Sequence, residues 1–315
     1  MSFTVANAKE NTLSKAVKSN KYCIDDYEID LKNQNDSHAI LANHAIKTKA
    51  KQILDVGCGV GYIGRTIKKH QPCTVDGIDI DKTALKIANK YYDNTFLLQL
   101  GDKTDKAYLS FLKDPKVYDC IICGDIIEHL SDPGYIISIL AKKLAPNGKI
   151  LISIPNIAHI DVIANLLDGR FNYGETGILD NTHLRFWTES SFYDFIKNIN
   201  EHYKTTLSPK LIGQTIISQN SFDTQDFYEI CGEEIFIFQN LFELTNQKNP
   251  TIPHPRKKSN FVNLSTAIAA RKKIATLEAE LAEKDKIIHD MEASLSWKIT
   301  EPLRKSNAFF HSHKK

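Results

Sequence analysis

Net charge is almost absent from this chain of 315 residues: forty Lys and Arg stand against thirty-eight Asp and Glu, leaving +2. A nucleic-acid binder concentrates basic residues against phosphate, so bulk charge makes no case for that partner. Long hydrophobic runs are missing too, since no uninterrupted apolar stretch approaches the roughly 20 residues of a membrane span. The start, MSFTVANAKENTL, has no basic segment followed by an apolar core, and no secretory leader is expected. The six cysteines show no spacing framework, which fits a reducing compartment. Together these absences lead us to expect a cytoplasmic protein. What remains, 42% hydrophobic and 25% charged, is the composition of a soluble globular chain able to bury a substantial core.

Cys120 and Cys123 form a CxxC within VYDCIICGDI, which reads as a buried strand. Positions i and i+3 of a strand face opposite sides, so the pair is expected to be two core cysteines, not a metal knuckle or a disulfide.

Along the chain, residues 1–20 are polar and unpatterned and are expected to be a loose tail. Strand and helix patterns then alternate. HAILANHAIKTKA reads as helix, KQILDVG as strand, YIGRTIKKH as helix and CTVDGIDID as strand. KTALKIANKYY is helical, NTFLLQLGD a strand, AYLSFLKD a short helix and VYDCIICGD a strand. Asp132-Pro133 opens a further helix with Pro at its first position, and Asn147-Gly148 turns into the strand KILISIPN. Such alternation predicts an α/β doubly wound sheet. A mostly helical stretch to about residue 200 and two late strands, near 207–217 and at EEIFIFQNLFEL, complete a domain over 21–246. Residues 247–262 are rich in Pro, Asn and Lys and read as a linker. Over 263–305, Ala267, Ile274, Leu281, Ile288 and Leu295 recur every seventh residue; Ala270, Leu277 and Met291 follow a second such series, which Lys284 interrupts. This predicts a coiled coil, with a lone amphipathic helix as the other reading, and 306–315 form a second tail.

Gly59-Val-Gly61-Tyr-Ile-Gly64, after the first strand, matches G-x-G-x-x-G, which alone does not tell a pyrophosphate from another ligand. Asp55 stands two residues before Gly57, and a carboxylate there would repel a pyrophosphate but suit a cationic amino group. Asp79 ends the second strand, where a carboxylate accepts ribose hydroxyls, and Asp102 follows the third, in reach of an adenine amino group. A cationic amino-acid end, a ribose and an adenine without phosphate describe S-adenosylmethionine.

Taken as a set, ILDVGCGVG, VDGIDID, LGD, YDCIICGDIIEHLSDP and LAPNGKILISIPN resemble class I S-adenosylmethionine-dependent methyltransferases in order and spacing, over about residues 36 to 245. The resemblance implies a Rossmann-like seven-stranded sheet whose last strand is antiparallel. It also implies cofactor contacts at Asp55, Gly57, Cys58, Gly59, Gly61, Asp79, Ile80 and Asp102, with Asp125 at the methyl end.

On the acceptor side, Asp125, Glu128 and His129 are spaced to share one face of a helical turn, as a general base, a cation site or a brace for the turn. The segment is similar to the acid-x-x-Glu-His stretch of ubiquinone-biosynthesis O-methyltransferases, associated there with metal-assisted activation of a hydroxyl, although Asp replaces the usual Glu. No ligand set is assigned to a metal, and a divalent cation is left open. His129, then His183, with Glu128, are the catalytic candidates, a neutral imidazole being able to accept a hydroxyl proton. His159 is a third histidine in view. Residues 165–192, NLLDGRFNYGETGILDNTHLRFWTESSF, resemble a segment of bacterial surface-polysaccharide and O-antigen methyltransferases. Arg170, Tyr173, Asp180, Arg185 and Trp187 there are expected either to hold a sugar or to build a lid. SLSWKITEPLRK, residues 294–305, is similar to a segment ending coiled coils in polysaccharide-assembly enzymes. It suggests partner docking or self-association, with peripheral membrane contact at most.

The reading these resemblances favour is O-methylation of a sugar hydroxyl on a glycan or lipid-linked intermediate. Two others stand beside it: O-methylation of a small phenol or quinone precursor, with an apolar pocket and metal dependence, and a non-catalytic cofactor-binding module that recruits glycosyltransferases.

Overall fold

The computed structural model describes residues 28–217, 233–253 and 264–293. The two tails, most of the linker, and residues 294–305 therefore lie outside the described residues. The chain divides into two compact units, Met1–Arg256 and Lys257–Lys315.

The first unit alternates as the patterning predicts. Its elements run α1 (Ser37–Thr48), β1 (Gln52–Val56), α2 (Tyr62–His70), β2 (Thr74–Asp79), α3 (Lys82–Ala88), β3 (Asn94–Leu97), α4 (Lys106–Lys113) and β4 (Tyr118–Gly124). A 3-10 turn (Ile127–His129), α5 (Pro133–Lys142), β5 (Leu144–Pro155), α6 (Ile160–Leu167), α7 (Glu189–Tyr203), β6 (Leu207–Ile216) and β7 (Ile237–Asn246) follow. The helices begin where short acceptors cap free amides: Asp36, Asp81, Asp105 and Asp132 each accept a backbone N–H of the first turn. Pro133 sits at the start of α5, where its missing N–H costs nothing.

The seven strands lie in the order β3-β2-β1-β4-β5-β7-β6. β3 through β5 pair in parallel, and β7 runs antiparallel between β5 and β6. This is the mixed sheet with an antiparallel last strand that the resemblance implies. Because successive strand residues face opposite sides, the sheet carries two cores. Leu54, Val56, Ile121 and Cys123 belong to one; Ile53, Cys120 and Ile122 belong to the other. Cys120 and Cys123 are thus both fully buried on opposite faces, as expected of core cysteines.

Two stretches depart most from the reading. β5 starts at Leu144 and takes in Asn147-Gly148, Asn147 holding a left-handed φ of 63° within the strand. The stretch after Asn156, expected to be mostly helical, is helical only in α6 and α7; between them residues 168–188 are irregular, with Gly169 and Gly177 at φ of 72° and 94°. Left-handed glycines stop a helix whatever the apolar spacing around them.

The second unit contains α8 (Leu264–Ala293), a helix of 30 residues on which Ile274, Leu277, Leu281, Ile288 and Met291 are exposed. The predicted helix is present; its pairing into a coiled coil is not seen in a single chain. Among the described residues no helix is long and apolar enough to cross a membrane.

Candidate active site

The parallel strands β1, β2 and β4 all end at one edge of the sheet, where open α/β folds bind ligands. After β1 the chain cannot continue as strand, because Gly57 and Gly59 adopt φ of 70° and 52°. A side chain at Gly57 would strike Ile126, 2.8 Å from a Cβ placed there, whereas a Cβ at Gly59 would meet nothing within 4 Å. Gly59 is therefore glycine for its backbone, and the space above it is open to a ligand. The loop is pinned by its amides: Gly57 and Cys58 donate to the carbonyl of Ile78 at 2.8 and 3.0 Å, and Gly59 donates to Asp79 Oδ2 at 2.7 Å.

Asp79 closes this corner, its Oδ1 accepting from the amide of Asp81 at 2.8 Å. Each carboxylate oxygen keeps acceptor capacity beyond these bonds. Asp79 lines a cavity of about 280 Å³, together with Gly57, Ile80, Ile126, His129 and Leu184. Ile80 is 63% exposed, an apolar surface suited to a flat ring. These residues fit S-adenosylmethionine: close backbone approach, an acid for ribose hydroxyls, an apolar seat for adenine, and no Lys or Arg among the cavity's described lining to meet phosphate.

Two other predicted contacts need correction. Asp55 is not on the cavity wall. It is 2% exposed, beneath the loop, and its Oδ2 accepts from the Tyr92 hydroxyl at 2.5 Å. Burial pushes its carboxyl up to about 7, against the lowering effect of the Tyr92 bond. Asp102 turns its Oδ1 into its own turn, taking the amide and hydroxyl of Thr104 at 2.8 and 2.6 Å. Gln99 and Leu100 line the cavity there instead, a role with no mark in the sequence. Cys58 is buried and its thiol is pushed far up by burial, so it serves the loop through its backbone. Gly61, at φ of 90°, starts α2.

The turn after β4 also differs from the one-face helix predicted. Asp125 takes a left-handed φ of 50°, which swings its side chain away from the 3-10 turn. Its Oδ1 accepts from Ser153 Oγ at 2.8 Å and Gln239 Nε2 at 2.7 Å, tying the turn to β5 and β7. The partner that joins Glu128 and His129 is His183, from the irregular segment. One ligand atom from each of the three lies within 4.8 Å of the others, and the two imidazole rings stand 4.7 Å apart.

Glu128 is 1% exposed, and neither of its carboxylate oxygens has a hydrogen-bond partner among the described residues. Burial first, and the nearby charge of Asp125 second, hold its carboxyl well above the usual carboxylate range. The histidines have fixed outer nitrogens. His183 Nδ1 bonds to the carbonyl of Ile178 at 2.8 Å, an acceptor, so Nδ1 carries the proton and Nε2 presents a lone pair. His129 Nδ1 lies 3.1 Å from Thr182 Oγ1, whose proton goes to Asp180 Oδ1 at 2.5 Å. His129 Nδ1–H therefore donates to Thr182, and its Nε2 is free as well. Burial, then the adjoining His183, hold His129 below its ordinary value and so neutral. His159 is a different case: fully buried, it caps α6 and bonds to the carbonyl of Ile217.

The five residues expected to hold a sugar serve mostly the fold. Arg170 pairs with Asp168 at 2.8 Å on the surface, and Asp180 holds Thr182. Arg185 donates to the carbonyls of Leu184 and Ser131, and Trp187 is buried against Phe195. Tyr173 is half exposed and clusters with Phe171 and Phe186 at ring distances of 5.7 and 6.3 Å. His183 adjoins that cluster, 6.3 Å from Phe186.

A parallel sheet with one reversed last strand, a glycine loop after β1 and an acid ending β2 define a class I methyltransferase domain. The sequence pattern of the methyltransferase domain family matches residues 31–200, and the chain belongs to that family. It is an S-adenosylmethionine-dependent methyltransferase. It is 28% identical over 168 residues to a ubiquinone biosynthesis O-methyltransferase of Coxiella burnetii, a match covering 50% of this chain and 70% of that one. It is 32% identical over 120 residues to the enzyme of that name from Idiomarina loihiensis, covering 37% and 47%. Among solved structures it is similar to a plantazolicin methyltransferase in complex with SAH, at 19% identity and a TM-score of 0.47, over 77% of this chain and 92% of the other.

Proposed function

We propose that the protein O-methylates a small hydroxylated aromatic acceptor with the help of a divalent cation held by Glu128, His129 and His183. The observation that carries this is Glu128: a buried carboxyl whose two oxygens are unpartnered among the described residues, facing two imidazoles whose outer nitrogens are already committed. A polar group buried without a partner costs about 1–3 kcal/mol, and a carboxylate with two histidines is a ligand set that a divalent cation satisfies.

S-adenosylmethionine, when bound, brings a methyl group already activated on sulfur, so the protein has to align the acceptor and ease the loss of its proton. A cation at the Glu128 cluster would lower the pKa of an acceptor hydroxyl. With its Nε2 on that cation and its Nδ1–H on Thr182, His129 would serve as ligand only, and the acidified acceptor hydroxyl would lose its proton to water. The apolar residues of the cavity and the aromatic faces of Phe171, Tyr173 and Phe186 favour a flat ring. The shared name of the relatives, ubiquinone biosynthesis O-methyltransferase, supports the same acceptor class. The sugar reading loses its recognition groups, since Asp180, Arg185 and Trp187 are engaged within the fold.

The test is label transfer from S-adenosylmethionine to a simple catechol by the purified protein, with chelator and then with cation restored. Transfer should fall more than tenfold on chelation and return with the cation. Transfer indifferent to chelation, or confined to sugar acceptors, would overturn the proposal.

A further inference from the structure

Tyr92 lies beneath the glycine loop, 5% exposed and outside the cavity, and nothing in the transfer described so far uses it. It follows α3, which the apolar pattern carries to Tyr92 but which ends at Ala88; the released backbone lets the ring turn back under the loop. We propose that Tyr92 is a positioning residue for the cofactor: its hydroxyl ties the Asp55 carboxylate to the first turn of α2, and its ring sets the height of the glycine loop.

The hydroxyl has two partners, both buried. It donates to Asp55 Oδ2 at 2.5 Å and accepts the amide N–H of Gly64 at 3.0 Å. That amide belongs to the first turn of α2, where N–H groups have no acceptor within the helix. The result is a chain from amide to phenol to carboxylate in a water-excluded place, where each bond polarises the next. The glycine loop is then held at three successive points: by the Ile78 carbonyl, by Asp79, and by Tyr92 at Gly64.

The ring lies against three glycines at once. A Cβ at Gly61 would lie 2.9 Å from Tyr92 Cε1, one at Gly77 would lie 2.7 Å from Cδ2, and one at Gly64 would overlap the ring itself. The third glycine of the G-x-G-x-x-G pattern is thus required here by a tyrosine below the loop. Asp55, which the sequence aims at the cofactor's amino group, reaches the loop through the same residue. Burial, with the like charge of Asp79 added, raises the pKa of the Asp55 carboxyl, and the Tyr92 bond works against both.

The inference rests on the cofactor site and is tested by binding, without acceptor or cation. Calorimetry with S-adenosylhomocysteine compares wild type, Tyr92→Phe, Asp55→Asn and the double variant, each with its thermal unfolding recorded. Tyr92→Phe keeps the ring and removes the tie, and should weaken binding about tenfold to a hundredfold. Asp55→Asn should do likewise, and the double variant should lose little more than the worse single one, as linked groups do. In turnover the loss should fall on the cofactor KM, with kcat within about threefold. A purely structural tyrosine would lower the unfolding temperature and leave affinity unchanged, and that result overturns the proposal. Additive losses in the double variant overturn it too. If Tyr92→Phe does not fold, Asp55→Ala, which leaves the Tyr92 hydroxyl without that acceptor, decides in its place, and wild-type affinity in that variant is the overturning outcome. Failure of the wild type to bind would overturn the cofactor assignment together with this one.

Discussion

Glu128 shows at the residue scale how a site is built against the interest of the fold. Its carboxyl is fully enclosed, beside the charge of Asp125, with no hydrogen-bond partner for either oxygen among the described residues. Replacing it with a side chain of similar length and no polar atoms removes that burden. Glu128→Met is expected to stabilise the cation-free protein by about 1–3 kcal/mol in urea unfolding while reducing methyl transfer at least a hundredfold. A variant that loses stability along with activity would show that the carboxyl has a partner. The sequence made Glu128 and His129 visible by spacing alone. It placed Asp125 on the same face because spacing carries no information about a left-handed φ, and that one angle hands the third position to His183. Asp55 and Asp102 were recognisable as acids near the loop, but the partners that occupy them, Tyr92 and Thr104, are ordinary residues with no motif to mark them.

Among the elements, the irregular segment 168–188 shows where patterning misleads. Its apolar spacing extends a helix on paper, yet left-handed Gly169 and Gly177 break it, and the segment is fastened by backbone bonds instead. The amides of Leu184 and Arg185 donate to the carbonyl of Glu128 at 2.8 and 3.1 Å, and the Arg185 guanidinium reaches the carbonyl of Ser131 at 2.9 Å. His183 is carried to the cation cluster by that attachment. Arg185→Ala removes the side-chain tie and leaves the backbone ones. Acceptor turnover, as kcat/KM, should then fall about tenfold, with S-adenosylhomocysteine affinity within twofold of wild type. An equal loss in both would mean that the segment shapes the cofactor cavity as a whole. The strands and helices of the sheet were by contrast readable, because their apolar periods and Asp caps act within a few residues. The segment's course depends on contacts some fifty residues away, between Leu184 and Glu128.

For the whole molecule, the reversed strand β7 has to be held against a sheet whose other strands all run one way. One device that holds it is ionic and spans three elements. Glu243 on β7 accepts from His44 of α1 at 2.6 Å and from Lys149 of β5 at 2.8 Å, with its own side chain only 10% exposed. The His44 bond first, then Lys149, lower its carboxyl from an ordinary 4.5 to about 2. A carboxyl whose pKa falls on folding adds stability above its unfolded value and loses it as pH drops through the folded one. At about 1.4 kcal/mol per pH unit, the cluster contributes up to about 3 kcal/mol at neutral pH, fading between about pH 4.5 and 2. Glu243→Gln should therefore lower the urea midpoint at pH 7, and the gap to wild type should narrow below pH 4.5 and close near pH 2. A gap that persists undiminished at low pH would assign the loss to packing at the β5–β7 seam, with the charge contributing nothing.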